Sequence, residues 1–253
     1  MAGALSSEGG DPGRAFVEKC ELGRGAQGRA ALVVHSTTGE KCVLKQIHMS
    51  PSVAAAALTE VEILSRLSHP NITRLFGAWR SPSTLNILME YADGGSLADV
   101  VRNRTSPLDE DVVCGWFVQM VDALRAMHAE RILHRDLKAA NVFLTSRNII
   151  KIGDFGISKV LESSALASTA IGTPFYLAPE IINGQRYGFK ADVWALGVLM
   201  YELLALKRPF EASNLPALAQ RILGVCGYDV APLPAVYSEE VRELALSLLS
   251  RDP

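Results

Sequence analysis

His134-Arg135-Asp136-Leu137-Lys138-Ala139-Ala140-Asn141 and, thirteen positions further on, Asp154-Phe155-Gly156 gather a base, a cation and two metal-seeking oxygens in one short segment. Phosphoryl transfer from a nucleotide needs this inventory. Asp136 can accept the proton of an attacking hydroxyl and Lys138 can neutralise charge on the moving phosphoryl. The side-chain oxygens of Asn141 and Asp154 suit a hard, octahedral ion such as Mg²⁺. A nucleotide also needs a cradle for its phosphates, and Gly23-Arg24-Gly25-Ala26-Gln27-Gly28 supplies a G-x-G-x-x-G whose glycines let backbone amides approach phosphate oxygens. By itself the pattern also fits a dinucleotide fold or an ordinary glycine-rich hairpin. A dinucleotide loop opens a helix, whereas here the apolar, β-branched run Ala30 to His35 follows. There is no G-x-x-x-x-G-K-[ST], so the P-loop class is set aside.

The elements that must hold these groups can be read from periodicity. Strands are predicted over Phe16–Leu22, Ala30–His35, Cys42–Ile47 and Leu85–Met89, with a turn at Ser36–Glu40. A helix is predicted over Ser52–Leu67, with Leu58, Val61, Ile63, Leu64 and Leu67 as its apolar face. After residue 95 helices dominate: one long amphipathic helix over Leu108–Glu130, and a run from Asp192 to Tyr201 so apolar that it must lie inside a core. Strands first and helices after predict an α+β protein of two lobes, a small β-rich one over 14–91 and a larger helical one over 92–253, with nucleotide between them.

The chain has 253 residues, 49% of them hydrophobic, enough for two lobes with real cores. A net charge of −2 gives no electrostatic case for nucleic acid or anionic membrane as partner. No apolar run approaches a membrane span, no secretory signal is visible, and Ala2 argues against myristoylation. The four cysteines, Cys20, Cys42, Cys114 and Cys226, lack metal or disulfide spacing and read as reduced thiols. Residues 1–13, rich in Gly and Ser, read as a disordered lead-in.

In the order and content of its motifs the chain resembles a eukaryotic protein kinase from about Phe16 to Pro253. The resemblance implies ATP and Mg²⁺ as cofactors and a bilobal kinase fold. It places Lys45 at the strand lysine that holds the α- and β-phosphates, with Glu60 as its ion-pair partner and Glu62 as the fallback; a lone strand lysine is otherwise merely solvated. It makes Met89 the gatekeeper, and Glu90 and Ala92 the hinge backbone that meets adenine. Leu22, Gly23, Gly25, Gly28, Ala30, Val43, Phe143 and Asp154 complete the nucleotide contacts. Lys138 together with Gly172-Thr173-Pro174 resembles the serine/threonine class, in which Thr173 joins Asp136, Lys138 and Asn141 in aligning the acceptor. Arg135 and Lys159 form a cationic pocket for an activation-loop phosphate on Thr169, with Ser168 the close competitor.

Kinases that select upstream basic residues carry acids where this chain has Ser96, Ala140 and Phe175, leaving only Glu202. A non-basophilic kinase is expected, and Ile157 favours threonine acceptors. Gly153–Leu161, Ile171–Leu177 and Leu206–Leu218 are similar to the NIMA-related (Nek) family, the last run to the subgroup carrying a chromosome-condensation-regulator-type propeller. That likeness implies a cytoplasmic protein with a centrosomal, ciliary or nuclear role. Ala30 and Val43 exchange the sizes usual over adenine, which keeps the total volume. The arginine and final helix that kinases place after Arg251-Asp252-Pro253, the former pairing with Glu180, are absent, so a truncated C-terminus is expected. Protein substrates are the expected partners, and the oligomeric state is open. The alternative reading is a catalytically silent nucleotide-binding scaffold.

Overall fold

The computed structural model describes residues 12–25, 28–49, 58, 61–153, 174–227 and 230–251. The chain divides into two compact units, Met1–Asp93 and Gly94–Pro253, the break falling two residues after the expected boundary.

The first unit is built on an antiparallel sheet of β1 (Phe16–Gly25), β2 (Gly28–His35), β3 (Lys41–His48), β4 (Leu75–Arg80) and β5 (Thr84–Glu90), in the order β1-β2-β3-β5-β4. Alternating side chains give the sheet two unlike faces. Val33, Cys42, Leu88 and Trp79 form a buried cluster on one face, with Phe16, Leu44 and Phe76 against it. The register puts Ala30 opposite Lys45, Leu32 opposite Val43 and Val43 opposite Met89, so these five residues share the other face. The β2–β3 turn closes through Gly39 N–H to the His35 carbonyl at 2.9 Å, with Gly39 at φ +72°, a conformation that favours glycine. Strand β4 was not legible because a bulge between Leu75 and Gly77 breaks its alternation. Of the predicted helix over 52–67, the described residues 58 and 61–66 are helical, and Leu64 is buried. Pro12 and Gly13, assigned to the lead-in from sequence, belong to a 3-10 turn over Pro12–Ala15.

The second unit contains α1 (Leu97–Asn103), α2 (Glu110–Ala129), a two-stranded hairpin of β6 (Val142–Leu144) and β7 (Ile150–Ile152), α3 (Pro179–Ile182), α4 (Phe189–Ala205), α5 (Leu215–Ile222) and α6 (Glu239–Ser247). Helix α4 is the core: every residue from Trp194 to Leu204 is buried, as its composition required. Trp194 stacks on Phe210 at 5.7 Å between centroids. A Cβ on Gly197 would lie 2.6 Å from Leu248 Cβ, so this glycine sets how closely the segment after α6 approaches α4. Helix α2 begins two residues later than expected because Asp109 caps it, its carboxylate accepting from Asp111 N–H at 2.9 Å. Leu108 is buried outside the helix, and its carbonyl accepts from Tyr237 Oη at 3.0 Å. Next to it, the Glu110 carboxylate accepts from the Ser238 hydroxyl at 2.7 Å and its N–H at 2.6 Å, pinning the N-cap of α6. Strands β6 and β7, three residues each, are too short to carry a readable alternation. Glu180 is half-buried. Among the described residues no helix is long and apolar enough to cross a membrane.

Candidate active site

The segment 134–141 runs from the end of α2 to β6, and a carboxylate from another helix organises its backbone. Asp192, fully buried in the first turn of α4, accepts four hydrogen bonds. Oδ2 takes His134 N–H at 3.0 Å and faces His128 Nε2 at 2.9 Å, while Oδ1 takes Arg135 N–H at 3.1 Å and Tyr187 Oη at 2.9 Å. Burial pushes the Asp192 carboxyl up, but His128, the His134 ring and the two backbone N–H groups outweigh it, leaving it below the ordinary range. The Tyr187 hydroxyl is pushed well up by burial and by Asp192. Arg135 sits at φ 66°, a left-handed conformation uncommon outside glycine, and its N–H is one of those Asp192 holds.

The loop is also tied to itself. Asp136 N–H donates to His134 Nδ1 at 3.3 Å, which puts the imidazole proton on Nε2, 3.1 Å from the Gly153 carbonyl. Gly153 N–H donates to the Asn141 carbonyl at 3.0 Å, closing the path between 134–141 and the residue before Asp154. Three of the predicted catalytic groups converge within this frame. Lys138 Nζ lies 2.7 Å from Asp136 Oδ2, and Asn141 Nδ2 donates to Asp136 Oδ2 at 2.9 Å and to its carbonyl at 2.8 Å. All three side chains are partly or largely buried. With both amide protons of Asn141 on Asp136, its Oδ1 is the atom with the chemistry to face a cation.

A second cluster touches the loop. Ala139 N–H donates to Tyr176 Oη at 3.2 Å, and Tyr176 Oη donates to the buried Glu202 carboxylate. Burial pushes the Glu202 carboxyl up, against the Tyr176 hydrogen bond and the charge of Arg208. Arg208 Nε stands 3.7 Å from Glu202, with its guanidinium 4.0 Å over the Phe175 ring. Ser96 caps α1, exchanging hydrogen bonds with Asp99 in a capping box, and Ala140 is exposed.

In the first unit, Ala30, Val43, Lys45 and Met89 fall on one sheet face as the register dictates. Gly23 pairs with Ala30 and Gly25 with Gly28, while Leu22 is the extra residue of a bulge and is exposed. A Cβ at Gly23 would meet nothing, but one at Gly28 would overlap the Gln46 carbonyl, so Gly28 is required by the sheet itself. Glu90 and Arg74 are linked twice, Glu90 N–H to the Arg74 carbonyl at 2.9 Å and Arg74 N–H to the Glu90 carboxylate at 3.2 Å. Ala92 follows in an irregular segment. Phe143 lies in β6, half-buried, bridged to Ser96. Glu60, Asp154, Lys159, Ser168, Thr169 and Thr173 lie outside the described residues.

Sequence reading missed Asp192, His128, Tyr187 and Tyr176 as site residues. The signal for Asp192 was present: a carboxylate in an apolar stretch needs a buried set of donors. Tyr176 and Tyr187 carried none, because their roles depend on contacts with residues distant in sequence.

Residues 16–253 match the family profile described as "Protein kinase domain". The chain is similar to "Serine/threonine-protein kinase Nek8" of Danio rerio, 45% identical over 237 residues covering 92% of this chain and 34% of that protein. It is 41% identical over 248 residues to "Serine/threonine-protein kinase Nek4" of Mus musculus, covering 96% of this chain and 31% of the relative. With "Probable serine/threonine-protein kinase nek3" of Dictyostelium discoideum it shares 42% over 243 residues, covering 92% and 21%. The chain thus spans about a third or less of the length of these relatives.

Proposed function

Because this chain belongs to the protein kinase family, we propose that it transfers the terminal phosphoryl group of ATP, with Mg²⁺, to serine or threonine hydroxyls of protein substrates. The observation that carries the reading is the convergence of Lys138 and Asn141 on Asp136 Oδ2. A carboxylate fixed by two donors is aimed without torsional freedom, and it accepts the acceptor hydroxyl's proton as the oxygen attacks. Lys138, already beside Asp136, offsets negative charge gathering on the transferred group.

Asn141 Oδ1 and the Asp154 carboxylate would hold Mg²⁺, an all-oxygen pair whose chemistry fits this ion. When bound, the metal polarises the phosphoryl oxygens and neutralises charge developing there. Lys45, Ala30, Val43 and Met89 supply the nucleotide face of the sheet, Lys45 for the phosphates and the others for adenine. Glu60 is assigned as the carboxylate that holds Lys45, and Leu22, Gly23, Gly25, Gly28, Glu90, Ala92 and Phe143 as further nucleotide contacts.

Finer properties belong to the same reading. Glu202, taken up by Tyr176 and Arg208, supports a kinase without demand for upstream arginine. Thr173 aligns the acceptor, with threonine preferred. Phosphorylation of Thr169, or of Ser168, activates by pairing with Arg135 and Lys159. Similarity to Nek relatives supports a cytoplasmic, centrosomal, ciliary or nuclear role, and membership of the propeller-bearing subgroup rests on the Leu206–Leu218 run. The test is radiolabelled phosphate transfer from ATP-Mg²⁺ to a generic protein substrate, with Asp136→Asn as control. Transfer lost in the variant while ATP binding persists upholds the assignment; equal transfer by both proteins removes Asp136 from the reaction.

A further inference from the structure

The face of the sheet turned away from Lys45 carries an unbroken polar chain. Arg29 Nε donates to Gln46 Oε1 at 2.9 Å, Gln46 Nε2 to Asn86 Oδ1 at 2.9 Å, and Asn86 Nδ2 to Ser81 Oγ at 2.9 Å. At its outer end the Arg29 guanidinium grips both oxygens of Glu18, at 2.7 and 2.8 Å. Arg29, Gln46 and Asn86 are direct cross-strand partners, so the chain crosses β1, β2, β3 and β5 and ends just past β4. It runs from half-exposed Glu18 to Asn86, which is 2% exposed.

Two residues of this chain, Arg29 and Gln46, are sequence neighbours of residues assigned to the nucleotide. Arg29 lies between Gly28 and Ala30, and Gln46 follows Lys45. Successive side chains in a strand leave opposite faces, so a residue gripped on one face fixes the pleat and the direction of its neighbour on the other. The grip is directional. Gln46 must accept from Arg29 and donate to Asn86 at once, which admits one orientation of its amide. A slip of β2 against β3 by one residue would break the Arg29–Gln46 bond and turn Ala30 off the face that Lys45 occupies, and a slip of β3 against β5 would break the Gln46–Asn86 bond. An apolar row would pack here without setting register in this way.

We infer that Arg29 and Gln46 are positioning residues for nucleotide binding, holding the β1–β2 hairpin and Lys45 in register through the Glu18–Arg29–Gln46–Asn86 chain. The inference rests on the kinase reading above. They touch no substrate in this role; they set where the groups that do are held, so their loss weakens ATP binding and leaves the transfer step intact.

The test uses Arg29→Met, which keeps the aliphatic stem of a half-exposed residue, and Gln46→Leu. Arg125→Ala, which removes an exposed ion pair with Asp122 on α2, is the control. ATP affinity is measured directly, and kcat, KM for ATP and KM for protein substrate by initial rates, with thermal unfolding alongside. The expected result is a rise of roughly tenfold in Kd and KM for ATP, with kcat and substrate KM unchanged, and partial recovery in Arg29→Lys. If Arg29→Met is folded and binds ATP as wild type does, the positioning role is overturned while the kinase reading stands. If kcat falls in step with stability and ATP KM does not move, the chain is merely structural and the role is again overturned. If the wild type itself binds no ATP, the kinase reading fails and takes this one with it.

Discussion

Asp192→Asn tests whether the catalytic loop is held by one buried charge. The carboxylate accepts from His134 N–H and His128 at one oxygen, and from Arg135 N–H and Tyr187 at the other. Asparagine replaces one oxygen with an NH₂ that faces donors, so one of these pairs is lost whichever way the amide turns. At about 1.5–3 kcal/mol for each hydrogen bond to a charged group, the loss is about 3–6 kcal/mol. With the NH₂ in the Oδ1 place part of it falls on Arg135, whose left-handed backbone costs about 1–2 kcal/mol and is held through its N–H, and with the NH₂ in the Oδ2 place it falls on His134, one residue earlier in the same loop. Once released, Arg135 relaxes and Asp136, the next residue, loses its aim. Each 1.4 kcal/mol withdrawn from the competent loop conformation lowers the rate about tenfold, so kcat should fall at least roughly a hundredfold with KM for ATP little changed. Urea unfolding reads the stability and radiolabel transfer reads kcat. A variant with wild-type urea midpoint and wild-type kcat would refute the argument. There is a pH signature as well. Because the folded Asp192 carboxyl lies below its unfolded value, it contributes stability above the unfolded pKa and loses it as pH falls through the folded one. The wild type should therefore show an acid-side loss of stability below about pH 4 that Asp192→Asn lacks.

The two glycines of the hairpin should separate fold from function. Gly28→Ala drives a methyl into the Gln46 carbonyl and should lower the melting temperature, whereas Gly23→Ala meets nothing, should melt as wild type does, and should raise KM for ATP if its backbone approaches phosphate. Gly197→Ala, with its Cβ 2.6 Å from Leu248, should cost about 1–3 kcal/mol in urea unfolding through overpacking. Tyr176→Phe removes the hydroxyl that donates to buried Glu202 and accepts from Ala139; stability should fall by about 1–3 kcal/mol, and kcat with it, in the same two assays.

The parts legible in the sequence were those whose signal is local. The strands around Ala30–His35 and Cys42–Ile47 announced themselves by short runs of apolar and β-branched residues beside a turn signal, and the core helix by an apolar run with almost no polar interruption. Asp136, Lys138 and Asn141 could be grouped because six residues of chain hold all three. What could not be read depends on long-range closure: Asp192 reaches back to His134 across 58 residues, and Glu110 to Ser238 across 128. Gly28 was assigned to phosphate on its motif, but its absolute need for glycine comes from the neighbouring strand. Arg29 and Gln46 gave no sign, since only the register shows that they are partners.

The clasp between Glu110 and Ser238 bears on the order in which the second unit folds and opens. Joining points 128 residues apart carries a loop-closure cost of about 4 kcal/mol, and α6, which the clasp secures, has only Ala245 buried among its own residues. Helix α4, buried along most of its length, has no such dependence on a remote tether. Helix α6 should therefore dock late and leave first, as a separate cooperative unit. In native-state hydrogen exchange its amides should open at a free energy well below that of α4, and Glu110→Ala should lower the first without moving the second.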